Sequence, residues 1–326
     1  MILFRLLKTR LSFTINRREE MSKPSIALLA LLVSSVFAFS LGAQEREGSR
    51  ITPAERNRTG TLRELIPGYY VFSSTSFNSG VIATSEGVVV LDALTSEAIA
   101  RKERETIASV IKQPVRFLVS STFHNNYTWG NVAYQDVIKI GHEDYRTDLL
   151  TQMQRDRASP EEQRARLPQI TYRDRLTLHL GGKEIQILYL GKGHTRSDSI
   201  IFVPQDRIAY VSELYFSDQF LYINDGYGVS WLKTLDAVEA LPADIFVPGH
   251  GPIPADPKET RQGLHRFRQM LVDLRDAVQR EISRGATEDQ AAAAIQLPQY
   301  EKLQGYKSQR EVAVRRTYRE IMGTLK

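Results

Sequence analysis

Three histidines stand in Asn- or Gly-rich turns, each directly after an apolar run, and this recurrence limits the fold more than any other feature of the chain. His124 lies in SSTFHNNYTWGN, residues 120–131, behind the run 115–119; His194 lies in LGKGHTRSD and His250 in FVPGHGP. A buried strand that opens into a loop aims the first loop side chains at one place. Three such loops, far apart in sequence, predict a single convergent pocket.

The intervening chain reads as strands and helices in two blocks. GYYVFSS, SGVIATS and EGVVVLDAL are β-branched or aromatic runs separated by Ser, Asn and Gly, which predicts a meander. Thr95 or Ser96 caps a predicted helix through Ile111, with Ala98, Ile99, Ile107 and Ile111 on its inner face; Pro114 ends it before the strand VRFLVS. QDVIKIGH is another strand, and residues 143–166 are helical with a break at Pro160. RLTLHL and KEIQILYL form a hairpin about Gly181 and Gly182. Two further strands, a helix over 231–241 and the last strand ADIFVPGHG lead into helices over 259–284, 287–295 and 307–324. This order predicts a layered α/β protein with antiparallel pairs rather than a doubly wound parallel sheet. No G-x-G-x-x-G or P-loop falls between a strand and a helix, so nucleotide binding is not expected.

The 326 residues include no cysteine, which excludes disulfides, thiolate metal sites and cysteine nucleophiles. The formal charge of +5 reflects 43 basic and 38 acidic residues, of which residues 1–43 hold six and two, so the remainder carries 37 and 36. That remainder lacks the basic excess of a nucleic-acid-binding or anionic-membrane-binding protein. Lys23 precedes an apolar stretch over 26–41, followed by Gly42 and Ala43. This is the layout of a secretory signal peptide over residues 21–43, cut after Ala43 or after Ser40, with 1–20 an upstream extension. An uncleaved anchor is the alternative, for which about 16 apolar residues are short. The expected location is secreted or periplasmic, with no membrane contact in the mature form. Residues 44–65 are polar and aperiodic and read as a linker, 66–255 as the main domain, and 256–326 as a helical extension packed on it.

Strand VVVLDAL, the loop after FLVSST, turn GKGHTRSD, strand AYVSELYF and turn VPGHGP follow in an order that resembles the metallo-β-lactamase superfamily, over about residues 68–255. The resemblance implies a four-layered αβ/βα sandwich of two mixed β-sheets with a C-terminal helical extension, and metal at one edge between the sheets. Aligned on Gly130 and Asn131, the family's first motif, H-x-H-x-D-H, falls on Thr122, His124, Asn126 and Tyr127. The GHT histidine matches His194, the PGHG histidine His250, the bridging aspartate Glu213, and a supporting aspartate Asp92; Asp198 follows GHT as in the family.

The first motif is thus eroded. Asn126 is a weak neutral donor, and the phenol of Tyr127 ionises only near pH ~10. Two dications would be under-ligated, so the expectation is one divalent ion on His124, His194, Glu213 and His250, or none. Zinc is the first choice, with iron or manganese next. With the ion, the protein would hydrolyse an ester, thioester, lactone or amide of a small-molecule substrate. Asn126 or Tyr127 would donate to the oxyanion, and Asp198 would orient a loop or an imidazole. Without an ion, the fold would serve as a non-catalytic ligand-binding or interaction module. Single-iron oxygen chemistry is a third reading, weakened by Thr122 where a histidine is expected. His142 is read as capping or packing, His179 as surface and His265 as solvated. The aromatic run Tyr215, Phe216, Phe220, Tyr222 and Tyr227 either walls a cleft or packs strand against helix.

Overall fold

The computed structural model describes residues 60–325, all within one compact unit. The expected signal peptide and upstream extension lie outside the described residues. The first leaf of the structure runs β1 (Thr61–Ile66), β2 (Tyr69–Ser74), β3 (Phe77–Thr84), β4 (Gly87–Leu91), β5 (Val115–Ser120), β6 (Ile138–His142) and β7 (Ile170–Tyr172). Its first four strands are antiparallel, and β4 to β7 are parallel. The second leaf contains β8 (Arg175–Leu180), β9 (Lys183–Tyr189), β10 (Ser199–Val203), β11 (Ile208–Phe216) and β12 (Ile245–His250), with only β11 and β12 parallel. The β8–β9 hairpin turns on Gly181 and Gly182, both at positive φ, as a two-residue turn of this hand requires. The leaves join through one pair, His250 of β12 with Phe77 of β3.

Side-chain alternation along the strands builds the layers. Tyr210 of β11 faces the centre with Val89, Leu91, Val119 and Ile140 of the first leaf and Ile185, Ile201 and Val247 of the second. Its neighbours Ala209 and Val211 face the other way, as a period of two demands. Helix α1 (Glu97–Val110), capped by Ser96, covers the outer face of the first leaf. A short helix α2 (Asn125–Thr128) follows β5, and α3 (Glu143–Arg155) and α4 (Pro160–Arg166) precede β7. Helices α5 (Gly228–Glu239), α6 (Thr260–Ser283), α7 (Glu288–Ala294) and α8 (Tyr306–Ile321) cover the second leaf. There Trp231, Leu264, Phe267, Leu271 and Val314 pack on Val211 and Phe246. The result is the expected sandwich, helices outside and two mixed sheets inside.

Two expectations are corrected. The linker assigned to residues 44–65 overlaps β1, which pairs with β2 from Thr61 to Ile66. Arg63 and Glu64 hide this edge strand in the sequence, because its hold is backbone pairing plus the Arg63 guanidinium on the carbonyls of Ile253, Pro254 and Ala255 at 2.7–3.0 Å. On α1, Ala98 is exposed, and the buried face is Ile99, Ala100, Glu103 and Ile107. An apolar pattern cannot reveal an inward glutamate.

Candidate metal centre

The site forms where the two leaves meet. His124 leaves β5 and precedes α2, His194 sits in the β9–β10 connection, Glu213 lies within β11, and His250 ends β12. Ser212, just before Glu213, has a left-handed φ of 50°, and the register of β11 against β12 shifts on either side of it. A bulge and a strained non-glycine residue together are a known way to re-aim one side chain at a site. Close backbone approach fixes the neighbouring turn. A Cβ on Gly249 would lie 2.5 Å from the Ser212 carbonyl carbon and 2.8 Å from the Tyr127 hydroxyl. The Asn78 amide holds the same turn by donating to Pro248 O and Gly251 O, each at 3.0 Å.

All three histidines gather on Glu213. His124 Nδ1 is 2.6 Å and His194 Nδ1 3.1 Å from Oε2, while His250 Nε2 is 3.1 Å from Oε1. One ligand atom each from His124, His194 and Glu213 lies within 4.8 Å of the others, whereas His250 holds the second carboxylate oxygen. Burial pushes the Glu213 carboxyl up, but His194 and His124 outweigh it and hold the group well below the usual carboxylate range. Burial would lower His124, yet Glu213 and Asp225 carry it to about 10. Burial dominates at His250 and lowers it, although Glu213 acts to raise it.

The other expected residues divide. Tyr127 is fully buried, and its hydroxyl donates to Gly249 O at 2.5 Å. It is therefore a strut between the His124 and His250 turns, not the expected oxyanion donor. Asp198 accepts from Thr195 N and Thr195 Oγ1, both at 2.7 Å, and so shapes the turn that carries His194. That is the loop-orienting part of its expected role, and nothing in its contacts gives it a catalytic one. Asn126 is half-buried on α2 and keeps its amide free of partners among the described residues. Asp92 accepts from Ser121 N, Ser121 Oγ, Ser212 Oγ and Tyr210 OH at 2.6–3.0 Å, knitting β4, β5 and β11 beneath the site. Burial raises its carboxyl to about 7.

His142 caps α3 by accepting from Asp144 N, and both His179 and His265 are exposed. Of the aromatic run, Phe216 stacks on His250 at 4.4 Å and lies 5.3 Å from His194, while Tyr215 and Phe220 pack against Phe267 and Tyr306.

Two residues escaped the sequence reading. Asp225, in the turn Asn224-Asp225-Gly226, places Oδ2 3.2 Å from His124 Nε2. Its only sequence signal is a carboxylate in a Gly-flanked turn, the same setting as the histidines. Arg166, at the end of α4, donates to Asn125 Oδ1 and Thr128 Oγ1 at 3.2 Å and so braces α2 from behind. A basic residue ending a charged helix gave no such signal.

A model of the metallo-beta-lactamase superfamily matches residues 76–250. The chain belongs to this superfamily. Among its relatives are the alpha subunit of a 2,4-dinitroanisole O-demethylase from Nocardioides sp., 22% identical over 209 residues, and a type 2 metallo-beta-lactamase from Bacteroides fragilis, 24% identical over 204. The matches cover 63% and 59% of this chain, and 59% and 79% of those proteins. The chain thus spans well under two thirds of the demethylase subunit's length. Among solved structures, the stereoselective inverting sec-alkylsulfatase of Pseudomonas sp. superposes with a TM-score of 0.63 at 16% identity, covering 81% of this chain and 50% of that one. A metallo-beta-lactamase from Pontibacter korlensis superposes with a TM-score of 0.55 at 19% identity, covering 65% and 98%. At these identities the structural likeness fixes the fold of this superfamily chain.

Whether the residues suit the superfamily's divalent ion can be tested on buried atoms. His194 Nε2 and Thr122 Oγ1 are buried without a hydrogen-bond partner, and His194 Nδ1 has only Glu213 Oε2, at 3.1 Å. Buried polar atoms are rarely left so, and an imidazole whose one polar neighbour is a carboxylate suits a metal ligand. Two imidazoles and one carboxylate also make a donor set known from catalytic zinc. The residues fit one ion.

Proposed function

We propose that this protein is an exported, single-ion hydrolase of small carboxyl derivatives: esters, thioesters, lactones or amides. The observation that carries the reading is the convergence of His124, His194 and Glu213 within 4.8 Å, with His194 Nε2 buried without a partner and Nδ1 facing Glu213 alone. His124 Nδ1, His194 and Glu213 Oε2 would hold the ion, and zinc suits them best. When bound, such an ion polarises a carbonyl and lowers the pKa of water toward ~7. The chain's own groups do the rest. His250 holds Glu213 Oε1 and so fixes which carboxylate oxygen faces the imidazoles. Asn126, the one expected oxyanion donor with a free amide, is available to a charge developing on the substrate. Export rests on the layout of residues 21–43.

One observation favours the metal-free binding module instead. His124 lies between Glu213 and Asp225, so a proton on it pairs it with both carboxylates with no ion. Metal analysis of the full chain, purified without chelator, decides between the two. About one equivalent of zinc, lost in His194→Ala together with ester hydrolysis, supports the hydrolase. Absence of metal, with thermal stability unchanged by added zinc, overturns it. One equivalent of iron would turn the reading to oxygen chemistry, which two histidines and a carboxylate also support.

A further inference from the structure

We propose that Asp225 is a positioning residue for His124, and that the C-terminal helix α8 sets it in place. The proposal rests on the single-ion reading above. His124 turns Nδ1 toward Glu213 and Nε2 toward Asp225 Oδ2, at 2.6 and 3.2 Å. An imidazole that binds a metal through one nitrogen characteristically donates from the other to a carboxylate, which fixes the ring and its tautomer. Asp92 cannot supply that carboxylate. Its oxygens accept from Ser121, Ser212 and Tyr210, and Thr122 stands where a histidine would have met it.

Asp225 belongs to the connection between β11 and α5, and distant parts of the chain hold that connection. Tyr227 N donates to Gly193 O at 2.8 Å, fastening it to the turn of His194. A Cβ on Gly226 would meet Gly193 O at 3.2 Å and His194 O at 3.4 Å, so the two turns are in close contact. From the other side, Arg316 Nε donates to Gly226 O at 2.9 Å. Tyr227 provides no side-chain cap for α5; Glu320 does so from α8, accepting from Val229 N, Ser230 N and Ser230 Oγ at 2.6–2.9 Å. Helix α8 therefore holds the chain directly after Asp225, at Gly226 and at the first residues of α5. The Asp225 side chain is itself 55% exposed. An exposed pair of this kind adds little to folding, so its effect falls on the orientation of His124.

The test is zinc affinity of the full chain, by competition with a chromophoric chelator, for the native protein, Asp225→Ala and Asp225→Asn. Asp225→Ala is expected to bind about 10- to 100-fold more weakly, with Asp225→Asn between, since its amide oxygen can still accept from Nε2. Thermal unfolding of the zinc-free proteins should coincide, which a merely structural role would not give. Affinity of Asp225→Ala within about twofold of native overturns the proposal and leaves the single-ion site standing. If the native chain takes up no zinc, the single-ion reading fails instead, and side-chain nitrogen NMR of the metal-free chain decides. A His124 Nε2–H signal present in the native protein and lost in Asp225→Ala supports the positioning role. The same signal in both removes it.

Discussion

Glu103 sits wholly buried on the inner face of α1, its carboxyl accepting from the hydroxyls of Ser79 and Tyr134, the latter at 2.8 Å. Burial pushes its pKa from 4.5 to about 8, so the folded chain keeps a proton that the unfolded chain has lost. The stabilising proton is fully retained below pH 4.5 and is lost as the pH rises through 8. Native stability should therefore fall between pH 5 and 8, by roughly 1–4 kcal/mol. Glu103→Gln, neutral throughout, should remove most of that slope in urea unfolding at the two pH values. Asp92 retains a share of it, and equal slopes in native and variant would contradict the assignment. The same residue marks what sequence reading misses. His124, His194 and His250 were legible because each follows an apolar run in an Asn- or Gly-rich turn, and Glu213 because it falls where the superfamily's bridging aspartate does. Glu103, Asp225 and Arg166 were not, because their meaning lies in partners at distances along the chain that no local pattern records.

Helix α5 begins without a cap of its own, and its first amides are satisfied by Glu320 from α8. Glu320→Ala should cost about 1–2 kcal/mol of stability, the range for losing an N-terminal helix cap. It should also speed hydrogen exchange over residues 222–231 while leaving α1 protected. Uniform exchange changes, or none, would deny the clasp. At this scale the sequence was a good guide to strands and to the C-terminal helices, whose periodicities are strong. It misplaced the start of α5 by three residues, because Gly228, Val229 and Ser230 look like loop until a distant carboxylate caps them. It lost β1 for the matching reason, since a polar edge strand is held by its neighbours rather than by its own apolar face.

The helices after residue 256 share one apolar core with the second leaf. Leu264, Phe267, Leu271 and Val314 lie with Val211, Phe246 and Trp231. Thr260 also accepts from Phe246 N at 3.0 Å, tying α6 to β12. A chain ending at residue 256 should therefore fail to give a soluble product with the near-ultraviolet dichroism of the native protein, because a large apolar sheet face would meet water. A well-folded product from that truncation would show the helices to be an accessory. The seam between the leaves has a different meaning. A single ladder pair, His250 against Phe77, carries the hydrogen-bonded sheet from one leaf to the other, beside the apolar layer that both leaves share. The histidine in that rung also grips the glutamate around which the other imidazoles gather. A shift between the leaves would therefore move His250 against Glu213, and an ion seated at the cluster would in turn act as a rivet that resists it.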